Sequence, residues 1–145
     1  MADEVNNEVW DATRPIKNDV SIKFLTWDDD KAKSTFWHSS AHLMAEAVEG
    51  MFPGVKFWVG PPLEKGFYYD MDLGDRKLTE EDLAALEKKM GELAKQNNAY
   101  RLQAISRADA ITYFPEKNAE YKLHLLQTLA EGNFTFYHPC NFPEL

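Results

Sequence analysis

Residues 66–98 hold the sharpest change of pattern in the chain. They open with Gly66-Phe67-Tyr68-Tyr69-Asp70-Met71-Asp72-Leu73 and, after a polar stretch, continue through Leu78-Thr79-Glu80-Glu81-Asp82-Leu83 to Asn97-Asn98. The first part is aromatic and follows a Lys65-Gly66 turn, which suits a strand. In the second part Thr79, with Asp82 three places on, makes a variant of the capping box and opens a helix. Leu83, Leu86, Met90 and Leu93 then fall on one apolar stripe, and the helix is expected to stop near Asn97-Asn98. A strand pattern gives way to a helical one within a single stretch, so both kinds of structure must share the fold.

Working outward toward the N-terminus, a helix is expected from about Ser34 or Thr35 to Met51, ended by Phe52-Pro53-Gly54. A short apolar run, Val55 to Val59, follows and is closed by Gly60-Pro61-Pro62. The acidic run Asp28-Asp29-Asp30 with Lys31-Ala32-Lys33 reads as a solvated linker. Before it, Val5 to Trp10 and Ser21 to Trp27 read as strands, joined by a loop around Pro15. Two strands alone are marginal in water. They either join the following domain or belong to a small sheet with further strands.

Toward the C-terminus, Ser106 with Asp109 opens a short helix that breaks before Pro115. A second helical stretch runs from about Glu120 to Ala130 and stops at Gly132. Phe134 to Tyr137 reads as a strand. Strands and helices are mixed without strict alternation and no repeat is visible, so the fold class is α+β.

Composition narrows the function classes. Hydrophobic residues make up 44% of the 145, enough to build a core. The single cysteine, Cys140, excludes an internal disulfide, a zinc ribbon and a CxxC redox motif. A formal charge of −8, from 16 basic and 24 acidic residues, argues against a dedicated, tight nucleic-acid binder. No apolar run has the length of a membrane span, and Met1-Ala2-Asp3-Glu4-Val5 has no signal-peptide pattern. The expectation is a soluble cytoplasmic protein without a membrane partner.

The sharpest chemical feature is Phe36-Trp37-His38-Ser39-Ser40-Ala41-His42. His38 and His42 are four apart and stack on one helical face. On a helical wheel Phe36, Leu43, Met44, Ala47, Val48 and Met51 form one apolar arc, with the histidines roughly opposite, beside Glu46 and Glu49. They are therefore expected to face solvent or a cleft rather than the core. Three readings stand open on spacing alone: surface histidines, a zinc site, or two imidazoles that orient a water or a substrate hydroxyl. The metalloprotease form needs Glu after the first His, and Ser39 stands there. In Gly66–Asp70, Phe67 and Tyr69 share one strand face and Tyr68 and Asp70 the other. Lys122 carries no weight alone, and His124, His138 and Cys140 have no motif around them.

Taken together, Val5–Ile16, Leu25–Asp29, Phe36–Leu43, Gly60-Pro61, Gly66–Asp70, Leu78–Asp82 and Glu120-Tyr121-Lys122 resemble the N-terminal half of the bacterial threonyl-tRNA synthetases. The segments occur in that family's order and spacing and cover nearly the whole chain. The resemblance implies two domains. Residues 1–33 would be the last strands of a ubiquitin-like β-grasp (TGS) domain with its linker. Residues 34–145 would be the editing domain, an antiparallel sheet packed by helices.

A proofreading role follows from the resemblance, and the chemistry gives it a reason. Serine keeps threonine's hydroxyl and lacks one methyl, worth only about 1–3 kcal/mol of discrimination, so a second, hydrolytic site is needed. The resemblance implies that His38 and His42 position the terminal adenosine, its seryl ester and the attacking water. Lys122 would stabilise the oxyanion, and Tyr69 would line the pocket. The family's site also uses a later Cys-x-x-x-His segment preceded by an acidic residue. Phe142-Pro143-Glu144-Leu145 matches the approach to it, with Glu144 in the acidic, substrate-binding place. Cys140 lies too early to be that cysteine, so this half of the site and the synthetic core are expected outside the chain.

No metal is expected at the histidine pair and no cofactor in the chain, although the family implies ATP, magnesium and zinc for its catalytic core. The expected partner is the acceptor end of threonine tRNA, held weakly. The chain is expected to be a monomer, while the parent enzymes are homodimers. Two alternatives remain at this point: a non-catalytic tRNA- or partner-binding module, and a metal-dependent HxxxH hydrolase.

Overall fold

The computed structural model describes residues 2–11, 14–98, 101–105 and 134–138. Two compact units divide the chain: residues 1–41 with 61–68, and residues 42–60 with 69–145. Small antiparallel sheets and helices make the whole α+β, as the sequence implies.

In the first unit, β1 (Ala2–Val5) and β2 (Glu8–Asp11) form a hairpin. The sequence reading took Val5 to Trp10 as one strand, but the chain reverses inside it. Asn6 and Asn7 hold φ of 50° and 69°, the paired left-handed conformations of the tight turn that matches strand twist. Asparagine tolerates that region better than most residues. Asn6 also anchors the next strand: its N–H donates to the Ser21 carbonyl (3.0 Å), and its Oδ1 accepts from the Ser21 N–H (3.1 Å). β3 (Ile22–Phe24) accordingly pairs with β1, giving the order β2-β1-β3. Val5 is buried at 2% exposure, whereas Phe24 stays 74% exposed.

The first helix, α1, runs from Asp30 to Met51, about one turn earlier than expected. The supposed linker is its entry. The Thr26 N–H and hydroxyl donate to Asp29 Oδ2 (2.9 and 3.3 Å), and the Asp29 N–H closes a turn on the Thr26 carbonyl (3.0 Å). Lys23 pairs with the same carboxylate. Carboxylates at a helix start complement its dipole, which is why an acidic run can belong to the first turn. Lys31, in that turn, reaches Glu4 (2.9 Å) and the Asn7 carbonyl (3.2 Å). A further hairpin of β5 (Pro62–Leu63) and β6 (Gly66–Phe67) completes this unit.

In the second unit β4 (Lys56–Phe57) pairs with β7 (Met71–Asp72), extended by mutual bonds of Trp58 and Val59 with Asp70, each 2.9 Å. The aromatic segment is thus two short strands, β6 and β7, rather than one. The second helix, α2 (Glu80–Gln96), has the expected capping box. The Asp82 N–H donates to Thr79 Oγ1 (3.2 Å), and the Thr79 N–H donates to Asp82 Oδ2 (3.0 Å). Asn97 closes it in the left-handed conformation.

Leu86 and Leu93 of α2 are buried with Ala45, Ala47 and Val48 of α1, Phe52 just past its end and Phe57 of β4. Leu83 departs from the expected stripe: it is 52% exposed. Finally β8 (Arg101–Ile105), which the sequence reading did not foresee, pairs antiparallel with β9 (Phe134–His138), which it did. The helices expected over 106–130 lie outside the described residues.

Candidate functional site

α1 carries both histidines on successive turns, and the unit boundary falls between Ala41 and His42. His38, in the first unit, is half-buried. His42, in the second, is only 5% exposed and is buried among the described residues together with Ala41 and Ala45. This corrects the expectation that both histidines turn away from the core. The most buried residues of α1 are Ala41, Ala45, Ala47 and Val48, the stripe of Ala41, Ala45 and Val48 continues to Phe52 just past the helix, and His42 borders it. The wheel placed Ala47 and Val48 on the apolar arc but left out Ala41 and Ala45, whose side chains are small. Alanines let a helix axis approach its neighbours closely, so they bury more completely than the larger side chains. Conversely Phe36, placed on the apolar arc, is 51% exposed.

An imidazole so deep must satisfy its ring nitrogens, because an unpaired buried polar group costs about 1–3 kcal/mol. Both histidines, Glu46 and Glu49 engage neighbouring groups. A buried, partnered imidazole has a fixed tautomer and ring plane, which a group that orients a water or an ester requires. Among the described residues, no group of three or more His, Cys, Asp or Glu side chains is arranged to hold a metal ion.

Tyr69, also in the second unit, is half-buried. Its ring meets Phe57 edge-on, with centroids 5.2 Å apart and planes at 70°. Tyr68 and Asp70 are exposed, so the alternation read from the sequence holds around Tyr69. Lys122 and Glu144 lie outside the described residues, as do His124 and Cys140. Gly60, which underlies the Tyr69 ring, had no site role in the sequence reading; Gly60-Pro61 entered it as the close of an apolar run and as one stretch of the family resemblance.

Two charged clusters are structural. The Asp82 carboxyl is held below the usual carboxylate value, chiefly by the Thr79 N–H and further by the Thr79 hydroxyl and Arg76. The Asp29 carboxyl is held low by its bond with Lys23 and by the Thr26 N–H, and Lys23 is raised in turn. A cleft of about 510 Å³ in the second unit is lined by Met51–Lys56, Asp72–Gly74 and Arg76. None of the expected site residues lines it. No described helix is long and apolar enough to cross a membrane.

No protein-family model matches the chain. Its whole length, however, aligns with curated relatives. It is 52% identical over 145 residues to the threonine–tRNA ligase of Cytophaga hutchinsonii. Identity is 46% over 145 residues to that of Parabacteroides distasonis and 45% over 146 to that of Porphyromonas gingivalis. In each case the chain is covered completely and spans 22% of the relative's length. Identity of 45–52% over the whole chain leaves one assignment: the chain belongs to the threonine–tRNA ligase family.

Proposed function

We propose that the chain is the proofreading part of a threonine–tRNA ligase and hydrolyses the seryl ester of threonine tRNA. The observation that carries this reading is the helical pair itself: two imidazoles one turn apart on α1, one half-buried and the other at 5% exposure. Full-length similarity to threonine–tRNA ligases supplies the substrate class. Residues 34–145 then form the editing domain, and residues 1–33 the end of a β-grasp domain with its linker.

In this reading the half-buried His38 takes the terminal adenosine, and His42, fixed by burial, orients the attacking water. Water adds to the seryl carbonyl, the bond to the ribose oxygen breaks, and serine leaves a free ribose hydroxyl behind. Lys122 supplies positive charge to the oxyanion, while Tyr69 and Glu144 bind the amino acid. The reaction is an ester hydrolysis that consumes only water, so no redox or group-carrying cofactor takes part, and in this reading the histidine pair acts through its imidazoles rather than through a metal. The partner is the acceptor end of threonine tRNA, bound weakly by a monomer of net charge −8 in the cytoplasm.

Burial of His42 favours a second reading, in which the imidazole is a satisfied core group and the module binds tRNA or a partner without hydrolysis. Deacylation separates the two. Seryl and threonyl esters of threonine tRNA are given to the chain and to the same chain followed by a further stretch of a relative's sequence. Hydrolysis of the seryl ester by the longer version supports editing. Binding without hydrolysis by either supports the second reading.

A further inference from the structure

The closest approach of a side chain to a glycine in the described structure is that of Tyr69 to Gly60. A Cβ placed on Gly60 would stand 2.5 Å from Tyr69 Cδ2, 2.6 Å from Cε2 and 2.9 Å from Cγ. Gly60 is not among the residues of positive φ, so its backbone does not require glycine. What requires it is space. Cγ is the root of the ring rather than a flexible tip, so the ring could not swing clear by a small torsion. It is also blocked elsewhere, because the buried Phe57 meets it edge-on. The Trp58 N–H donates to the Asp70 carbonyl and the Asp70 N–H to the Val59 carbonyl, each at 2.9 Å, which holds the two backbones in register beside the ring. The Tyr69 ring is therefore clamped between the bare Gly60 Cα and Phe57.

We propose that Gly60 is a positioning residue for the editing pocket: it seats the Tyr69 ring, and the seated ring sets how much room the amino-acid side chain has. This rests on the editing reading, because it takes Tyr69 as a wall of that pocket. Serine and threonine differ by one methyl, so discrimination depends on a wall placed to within a fraction of an ångström. An Ala at position 60 would push the ring out by roughly 1 Å to reach ordinary contact, a displacement large enough to alter a reaction geometry.

The test is a double-mutant cycle on seryl and threonyl deacylation, in whichever of the two chain lengths is active. Gly60→Ala should lower the ratio of seryl to threonyl kcat/KM by roughly tenfold, the scale of one methyl in a pocket. In a Tyr69→Ala background, where no ring remains to displace, the same Gly60→Ala change should leave the ratio unmoved. Tyr69→Phe, which keeps the ring, should retain sensitivity to Gly60→Ala. If Gly60→Ala lowers both rates equally, or acts as strongly without the Tyr69 ring, Gly60 is only structural and the inference fails while editing stands. If neither length hydrolyses the seryl ester, the editing reading fails and takes this inference with it.

Discussion

His38 and His42 share a motif but sit in different surroundings, and that difference predicts different losses. His42, at 5% exposure, holds polar ring atoms inside the second unit. His42→Ala should therefore cost about 1–3 kcal/mol of stability as well as activity, read from urea unfolding. His38 is half-buried, so His38→Ala should leave the unfolding midpoint nearly unchanged. Each substitution should slow seryl deacylation by about 10²–10⁴-fold if both imidazoles serve the water or the ester. Loss of stability at His42 with unchanged deacylation would leave it a core residue. The pair was legible in the sequence because i, i+4 spacing is a local fact. Its burial was not, because the wheel put Phe36, Leu43 and Met44 on the arc with Val48 and left out Ala41 and Ala45, which are buried beside His42. Alternation alone placed Tyr69 opposite Tyr68 and Asp70, although it lies between β6 and β7, and its seat on Gly60 depends on two segments coming together.

Among the elements, the two helix entries repeat one device. Thr79 and Asp82 open α2 with reciprocal bonds, and Thr26 and Asp29 precede α1 with a similar threonine–carboxylate contact. The first was legible as a capping box. The second was hidden in an acidic run that resembles a linker by composition. Thr79→Ala should destabilise the second unit by about 0.5–2 kcal/mol, the usual cost of a lost N-cap, measured by thermal or urea unfolding.

Asp29 and Asp82 also predict a pH response. Both carboxyls are held below their ordinary value in the folded chain. Their contribution to stability is complete above the unfolded value of about 3.9 and fades as pH falls from there through the folded value. Asp82→Asn should flatten the acid side of the stability curve, and a curve of unchanged slope would count against this linkage. The narrow Ala stripe makes a further prediction. Ala45 is fully buried, so Ala45→Leu should overpack the core and cost about 1–3 kcal/mol in urea unfolding. The Asn6-Asn7 turn escaped the reading for a related reason. The β-rich composition of Val5 to Trp10 looks like one strand unless Asn6-Asn7 is recognised as a two-residue reversal.

For the whole molecule, the mixed strand and helix patterns foretold the α+β fold that the structure has, and the resemblance of the ordered motifs foretold the threonine–tRNA ligase family, which 145 aligned residues at 52% identity bear out. Its charge of −8 bears on the proposed tRNA binding. A module of this balance that holds only an acceptor end neutralises few phosphates. Its affinity should be weak and should fall with added salt along a shallow slope, measured by titrating an acceptor minihelix at several salt concentrations. Tight, salt-insensitive binding would contradict that account.

The central claim is proofreading, and its most direct test is deacylation of seryl against threonyl threonine tRNA, by the chain and by the chain continued into a relative's sequence. The account predicts that the continued chain releases serine rapidly, spares threonine, and loses this activity when His38 or His42 is replaced. Equal release of both amino acids, or release of neither, would contradict it.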